Sequence, residues 1–322
     1  MRVAYVLASR CLPDHASKFS RKDFTLPQLF ACLVVREHQR KTYRGAEALL
    51  RDAEPWCRDI GMTKAPDHNT LCRAFHALHL SRRGERLLDR LAQWFALARQ
   101  LGVTVAIDST LYDTHHRSRH YEQRCRRYAS HERATAEKRR SRSAKRTPKL
   151  ATCCDTRSHV ILSARSRIGM GSDARDFEPL LRDAWRRTPR RRLRTALADA
   201  GYDSEANHRF ARRDLGVRSL IKAGAGRPSA KPPTGCYRRR MRRELVGSQA
   251  GKPYGQRSQA ETVASMLKRN LDDALRARSP RARRDEMILR TITHNVMIRY
   301  QRRVETEPLR PRFLPVRACR FP

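Results

Sequence analysis

Carboxylates are scarce in this chain. Asp and Glu number 32 against 71 Lys and Arg, giving a formal net charge of +39 and a pI near 11.3. Arginine-biased coding explains part of the basic excess but not the shortage of acids. A polyanionic partner, most simply nucleic acid, accounts for both. Long apolar runs are missing too. No stretch approaches the ~18 residues that a membrane-spanning helix needs. The short apolar run Val3-Ala-Tyr-Val-Leu-Ala8 meets Arg10 too soon for a signal peptide. A cytoplasmic, nucleoid-associated protein is therefore expected. Among nine cysteines, no C-x2-C pair is matched by a second at zinc-finger spacing. The odd count, and adjacent Cys153 and Cys154 in a run that reads as a strand, suit reduced structural thiols rather than a disulfide framework. His115, His116 and His120 cluster without a cysteine or acid to complete a zinc set.

What is present divides the chain in two. Residues 1–98 read as a helical region. Its first 22 residues are polar and expected to be poorly ordered. Thr25-Leu-Pro-Gln28 reads as a capping box that opens a buried helix through Leu29–Val35. A second helix covers Tyr43–Arg51. Pro55 and Gly61-Met62 break the pattern, and Pro66–Thr70 offers N-caps before Leu71, Phe75 and Leu78 at helical spacing. Short helix, connection, short helix suits a helix-turn-helix-like DNA-binding unit with Arg73 and His76 on its second helix. It suits a plain helical bundle equally well. A third helix over Arg83–Gln100 leads to the first strand.

Residues 99–302 read as an α/β domain. Val103-Thr-Val-Ala-Ile is a β-branched run ending in Asp108. Residues 112–149, with Arg139 and Arg140 among many cations, have too few apolar residues for a core and read as a mobile phosphate-binding arm. A hairpin over Leu150–Cys154 and Val160–Leu162 follows, then a helix over 173–186 with Phe177, Leu180 and Leu181 inside. Thr195-Ala-Leu-Ala is a strand ending in Asp199. A helix over Ser204–Arg213 precedes a strand over Val217–Ile221. Gly224–Pro253 reads as a second basic stretch, a linker rich in Gly, Pro and Arg. Met287–Ile298 reads as a closing core helix, and 303–322 as a disordered tail.

The chain is organised around Tyr254-Gly-Gln-Arg257-Ser-Gln-Ala-Glu261-Thr-Val-Ala-Ser-Met-Leu-Lys268. At about 100° per residue, Arg257, Glu261 and Lys268 fall within roughly 40° of one another, and Val263, Met266 and Leu267 point away. The face is a carboxylate between two cations, which keeps it ionised. The plain alternative is a surface helix with an i,i+4 salt bridge. Pro280 is expected to end this helix.

The spacing Y-x2-R-x3-E-x6-K resembles the signature of DDE transposases of bacterial insertion sequences. Asp108, and Asp199 within Ala198-Asp199-Ala-Gly-Tyr-Asp203-Ser, resemble that family's two upstream aspartates. The resemblance runs from about residue 20 to about residue 300. It implies a ribonuclease H-like mixed sheet flanked by helices, behind an N-terminal helical DNA-binding region. In that fold the first and fourth strands are neighbours, so Asp108 and Asp199 would meet. It further implies that Asp108, Asp199 and Glu261 hold two Mg²⁺ ions about 4 Å apart, with Mn²⁺ as a substitute. Tyr254 and Arg257 would contact the phosphate near the cut, and Lys268 the adjacent backbone. The implied partners are the element's terminal inverted repeats, target DNA and a second copy of the chain. A nuclease of the same fold that cuts without joining, and a DNA-binding regulator with an inactive catalytic domain, are the alternatives. The three intact acids argue against the second. Of the other acids, Asp203 reads as a helix cap, Asp155 as a turn residue, and Asp173 and Asp176 as first-turn acids of a helix.

Overall fold

In the computed structural model, which describes residues 1–19, 21–116, 147–188, 192–222, 234–246 and 251–306, the N-terminal helices wrap one face of a mixed sheet. They are α1 (Arg2–Ser9), α2 (Leu26–His38), α3 (Tyr43–Asp52), α4 (Glu54–Arg58), α5 (His68–Leu78) and α6 (Leu80–Leu97). The expectation of disorder over residues 1–22 is overturned by α1. Its Ala4, Leu7 and Ala8 form an i, i+3, i+4 stripe that is fully buried against the core. The apolar run Val3–Ala8 that carries the stripe is too short for a signal peptide but long enough for about two buried turns of helix. The capping box of α2 is formed: the Gln28 amide N–H donates to Thr25 Oγ1 and the Thr25 N–H to Gln28 Oε1, at 3.3 and 2.8 Å. Pro55 lies in the first turn of α4, where its missing N–H costs nothing, so the connection between α3 and α5 contains a further helical turn. Asp67 caps α5 through the Thr70 N–H at 2.7 Å.

The strands are β1 (Thr104–Leu111), β2 (Asp113–Thr114), β3 (Pro148–Asp155), β4 (Ile161–Ile168), β5 (Thr195–Ala198), β6 (Arg218–Ile221) and β7 (Ala274–Leu275). Five form one sheet in the order β4-β3-β1-β5-β6. The pairs β4–β3 and β3–β1 are antiparallel, and β1–β5 and β5–β6 are parallel. This mixed α/β sheet flanked by helices is the ribonuclease H-like arrangement expected, with β1 beside β5, the strand that ends at Asp199 and is the fourth of the main sheet in chain order. Side chains alternate between two buried faces. Val105, Ile107, Cys153 and Ala198 pack on Phe177, Leu180 and Leu181 of α7 (Ala174–Arg187). Ala106, Cys154, Leu197 and Leu220 join the core made by the N-terminal helices, α11 (Ser258–Leu271) and α12 (Pro280–Thr306). Between them the chain forms a turn of 3-10 helix at Ala200–Tyr202, α8 (Glu205–Arg209), a π-helical turn at Phe210–Asp214, α9 (Cys236–Val246) and α10 (Gly251–Gly255). No helix among the described residues is long and apolar enough to cross a membrane.

Five boundaries differ from expectation. β1 runs three residues past Asp108, because its edge stays paired with β3 as far as Leu111↔Lys149. The basic arm is shorter than 112–149. Asp113–Thr114 pairs with Ala274–Leu275 in a parallel two-stranded ladder, and Pro148 and Lys149 belong to β3. Arg139 and Arg140 lie outside the described residues. The supposed linker Gly224–Pro253 contains α9, which buries Met241. Pro280 opens α12 instead of ending the signature helix. That helix stops at Leu271 because Asp272 adopts φ 92°. The tail beyond Arg302 begins helical, since α12 extends to Thr306.

α12 ties the halves together. A Cβ at Gly84 of α6 would lie 2.5 Å from Ile288 Cγ2, so only glycine permits this approach. Asn295 grips the start of β4 twice: its Nδ2 donates to the Ile161 carbonyl at 2.8 Å and its Oδ1 accepts from the Ile161 N–H at 2.9 Å.

Candidate active site

Parallel pairing of β1 and β5 sets the site. Ile107 is level with Ala198, so the next residues, Asp108 and Asp199, stand side by side where β5 ends. Each is braced by backbone. Asp108 Oδ1 accepts from the Ser109 N–H at 2.7 Å and Asp199 Oδ1 from the Gly201 N–H at 2.9 Å. Burial pushes the Asp108 carboxyl above its ordinary range. The nearby carboxylates of Asp199 and Glu261 add to this, while the Ser109 N–H and Arg257 work against it.

The helix α11 lies against β1 with Ala260, Val263, Leu267 and Leu271 buried. Its first turn is docked by the Gln259 Oε1–His159 Nε2 contact at 2.7 Å, and Gln256 just before it meets Thr156 Oγ1 at 3.0 Å. The apolar face expected from the sequence is therefore real, although Met266 is only half-buried. Glu261 does not sit between two cations. Arg257 Nη2 holds Glu261 Oε1 at 2.5 Å, which is the i,i+4 bridge. Lys268, two turns along, lies 5.9 Å above the Tyr112 ring. Tyr254 donates its hydroxyl to the Ala198 carbonyl at 3.3 Å, tying the start of the signature to the strand that carries Asp199. Arg73 and His76 are exposed on α5, away from its buried side.

The three acids supply hard oxygen donors suited to a divalent cation. Asp108 and Asp199 each keep an oxygen with no protein donor among the described residues. No group of three or more His, Cys, Asp or Glu among those residues is closed around a single point. Glu261 is turned onto Arg257 and is 56% exposed, so sharing a metal with the aspartates would require that ion pair to open. The donor set fits a metal, with one rotation required.

Sequence reasoning missed Asp173. As the residue before α7 it was expected to serve the first turn, yet its side chain makes no cap. It takes Lys149 Nζ at 2.5 Å and the Ser109 hydroxyl at 2.8 Å. A Cβ at Gly201 would lie 3.2 Å from Asp199 Oδ1 and 3.5 Å from Asp173 Oδ2, so the two carboxylates flank one backbone position. Asp176, buried, pairs instead with Arg167. Asp203 is not a cap either. Ser204 caps α8, and Asp203 binds Arg238 and His208. Asp155 is the turn residue expected, accepting from the N–H groups of Gly102, Arg157 and Ser158. His115 and His116 brace the turn after α11 through Asp272 Oδ2 and the Arg276 carbonyl, at 3.0 and 2.8 Å.

Comparison with known proteins bears on this arrangement. No curated protein matches the chain. Among solved structures it is similar to a piggyBac transposase synaptic complex with hairpin DNA, at TM-score 0.46 and 9% identity, over 94% of this chain and 71% of that one. It is also similar to the Mos1 strand transfer complex, at TM-score 0.29 and 13% identity, over 91% and 81%. The profile of the transposase DDE domain matches residues 99–296, which include both aspartate strands and the helix of Glu261. The match covers more than half of the chain, and by it the chain belongs to the transposase DDE domain family.

Proposed function

We propose that this transposase serves a bacterial insertion sequence: it binds the element's terminal inverted repeats, hydrolyses phosphodiester bonds there and joins the freed 3′ hydroxyl to target DNA. The observation that carries the reading is the level exit of Asp108 and Asp199 from neighbouring parallel strands, with the helix of Glu261 packed on the first of them. In this reading Asp108, Asp199 and Glu261 hold Mg²⁺, or Mn²⁺ in its place. When bound, such ions activate a water and stabilise the leaving oxygen. Asp108, the most buried of the three, anchors the set, and the backbone N–H groups of Ser109 and Gly201 fix the two aspartates in advance. Arg257, released from Glu261, and Lys268 face the DNA backbone as point charges. Tyr254 fixes the approach of α11 through its bond to Ala198. Arg73, Arg139 and Arg140 add phosphate contacts outside the site. Two element ends have to be handled together, so the active species is a homodimer or larger.

The test uses Asp108→Asn, Asp199→Asn and Glu261→Gln. Each should bind duplex DNA as well as wild type yet cleave element ends at least about 10²-fold more slowly. Near wild-type cleavage by all three would sink the assignment. Joined products in a strand-transfer assay separate a transposase from a nuclease. Mixing dead and wild-type chains tests the dimer: activity strictly proportional to the wild-type fraction would mean independent monomers.

A further inference from the structure

α9 carries its charge in two layers. The underside is fixed by three carboxylates. Glu205 accepts from the Tyr237 and Arg238 N–H groups at 2.9 and 3.0 Å, closing the first turn from outside. A Cβ at Gly235 would lie 1.9 Å from Glu205 Oε2, so glycine is required for that seat. Asp203 receives Arg238 through Nε at 3.1 Å and Nη2 at 2.6 Å. Glu244 accepts from Arg212, Arg218 and Arg240 at 3.0–3.2 Å. Burial works against ionising Glu244, but these arginines hold its carboxyl down at about 2, so the anchor stays charged. Met241 completes the buried side.

The outer layer has no such partners. At about 100° per residue, Arg239, Arg242 and Arg243 share one third of the helix circumference, opposite Met241 and Glu244. All three are exposed, and none has a carboxylate on it among the described residues. The flanking sequences, 223–233 and 247–250, contain no acid. Three guanidinium groups at i, i+3 and i+4 repel one another, and a chain this short of acids offers no internal relief. A row of anions does. Arginine at close spacing on a rigid helix is a geometry for backbone phosphates. The helix is held next to the site, because Asp203, its anchor, lies four residues beyond Asp199 on the same loop.

We propose that Arg239, Arg242 and Arg243 form a phosphate-binding face on which the backbone of duplex DNA lies as it passes the Asp199 side of the active site. The proposal rests on the DNA-cleaving reading above. It is tested in the full-length chain with R239Q/R242Q/R243Q, binding a short mixed-sequence duplex across a series of salt concentrations. Loss of three contacts should reduce the slope of log affinity against log salt by about 2–3 and weaken binding about tenfold or more at low salt. The control R182Q/R186Q, on the outer side of α7, should leave the slope unchanged. Lysine at the three positions should restore it, which a merely destabilised helix would not allow. A glutamine variant with wild-type slope and affinity overturns the proposal while leaving the DNA reading intact. A wild-type protein with no salt-dependent affinity for duplex overturns both.

Discussion

Asp173 accepts a hydrogen bond from the hydroxyl of Ser109, the residue next to Asp108, at 2.8 Å. The same carboxylate holds Lys149 Nζ, a buried group on the neighbouring strand. A side chain leading into α7 thereby clamps β1 to β3 beside the candidate metal ligand. Positioning of this kind is sensitive, since small displacements of reacting groups are expensive in rate.

Asp173→Ala should therefore lower cleavage about tenfold and stability by about 1–3 kcal/mol, because Lys149 loses its partner in a buried place. Asp173→Asn keeps an acceptor for Ser109 and should cleave better than the alanine variant. Duplex affinity should stay at the wild-type level in both. Urea unfolding and a single-turnover cleavage assay check this, and equal cleavage by all three proteins would remove Asp173 from the site.

The raised carboxyl of Asp108 has a cost in the metal-free protein. Burial and its acidic neighbours lift its folded value above the unfolded one. The folded state then binds more protons than the unfolded state in that window, and stability falls as pH rises through it. Asp108→Asn removes the cost. In EDTA at neutral pH the variant should melt about 1–3 °C higher than wild type. The gap should shrink as pH falls through the ordinary carboxylate range. A lower melting point, or a gap that ignores pH, would contradict this account.

Arg290 is fully buried where α2, α11 and α12 meet. It bonds Glu37 at 3.4 Å, Glu286 at 2.8 Å, and the Asp272 and Ala274 carbonyls at 2.6 and 2.8 Å. Arg290→Met leaves Glu37 with only Arg36 and Glu286 with only the Arg276 and Ala277 N–H groups, and should cost about 3–5 kcal/mol in urea unfolding. The double variant E286Q/R290M removes the excess charge while leaving Glu37 paired with Arg36, and should recover much of that loss. If the double variant were as unstable as the single one, the network would matter through packing and not charge.

The parts of this architecture that could be read in advance are those with a local physical signature. Val103–Ile107 and Thr195–Ala198 are short apolar runs ending in acids, and parallel pairing alone brings such ends together. Thr25 and Gln28 satisfy each other's N–H groups within one turn. Val263 and Leu267 obey the helical period. What escaped depends on distant partners. Asp173 looks like any helix-leading acid until Ser109 and Lys149 are folded beside it. The two-residue ladder between β2 and β7 is too short to leave a pattern. Pro280 can stop one helix or start another, and the φ of Asp272 decides which. The arginine-rich α9 resembles a linker because its anchors, Asp203 and Glu205, lie about 30 residues earlier in the sequence.

The ion pair between Arg257 and Glu261 makes the last prediction a matter of sign. Glu261 is exposed enough to turn toward Asp108 and Asp199, and Arg257 is the cation that now occupies its oxygen. A metal has to compete with that guanidinium. Arg257→Ala removes the competitor and the repulsion it exerts on a divalent ion. The variant should bind Mn²⁺ more tightly than wild type in the absence of DNA, by about 2- to 5-fold given the modest strength of exposed pairs. Its affinity for duplex should fall, and cleavage should fall with it, because the phosphate contact proposed for Arg257 is lost. Arg257→Lys retains the charge and should lie between the two. Titration calorimetry with Mn²⁺ reads the first effect and a binding assay without metal reads the second. If Arg257→Ala bound Mn²⁺ more weakly than wild type, Arg257 would be holding Glu261 in place for the metal and not away from it.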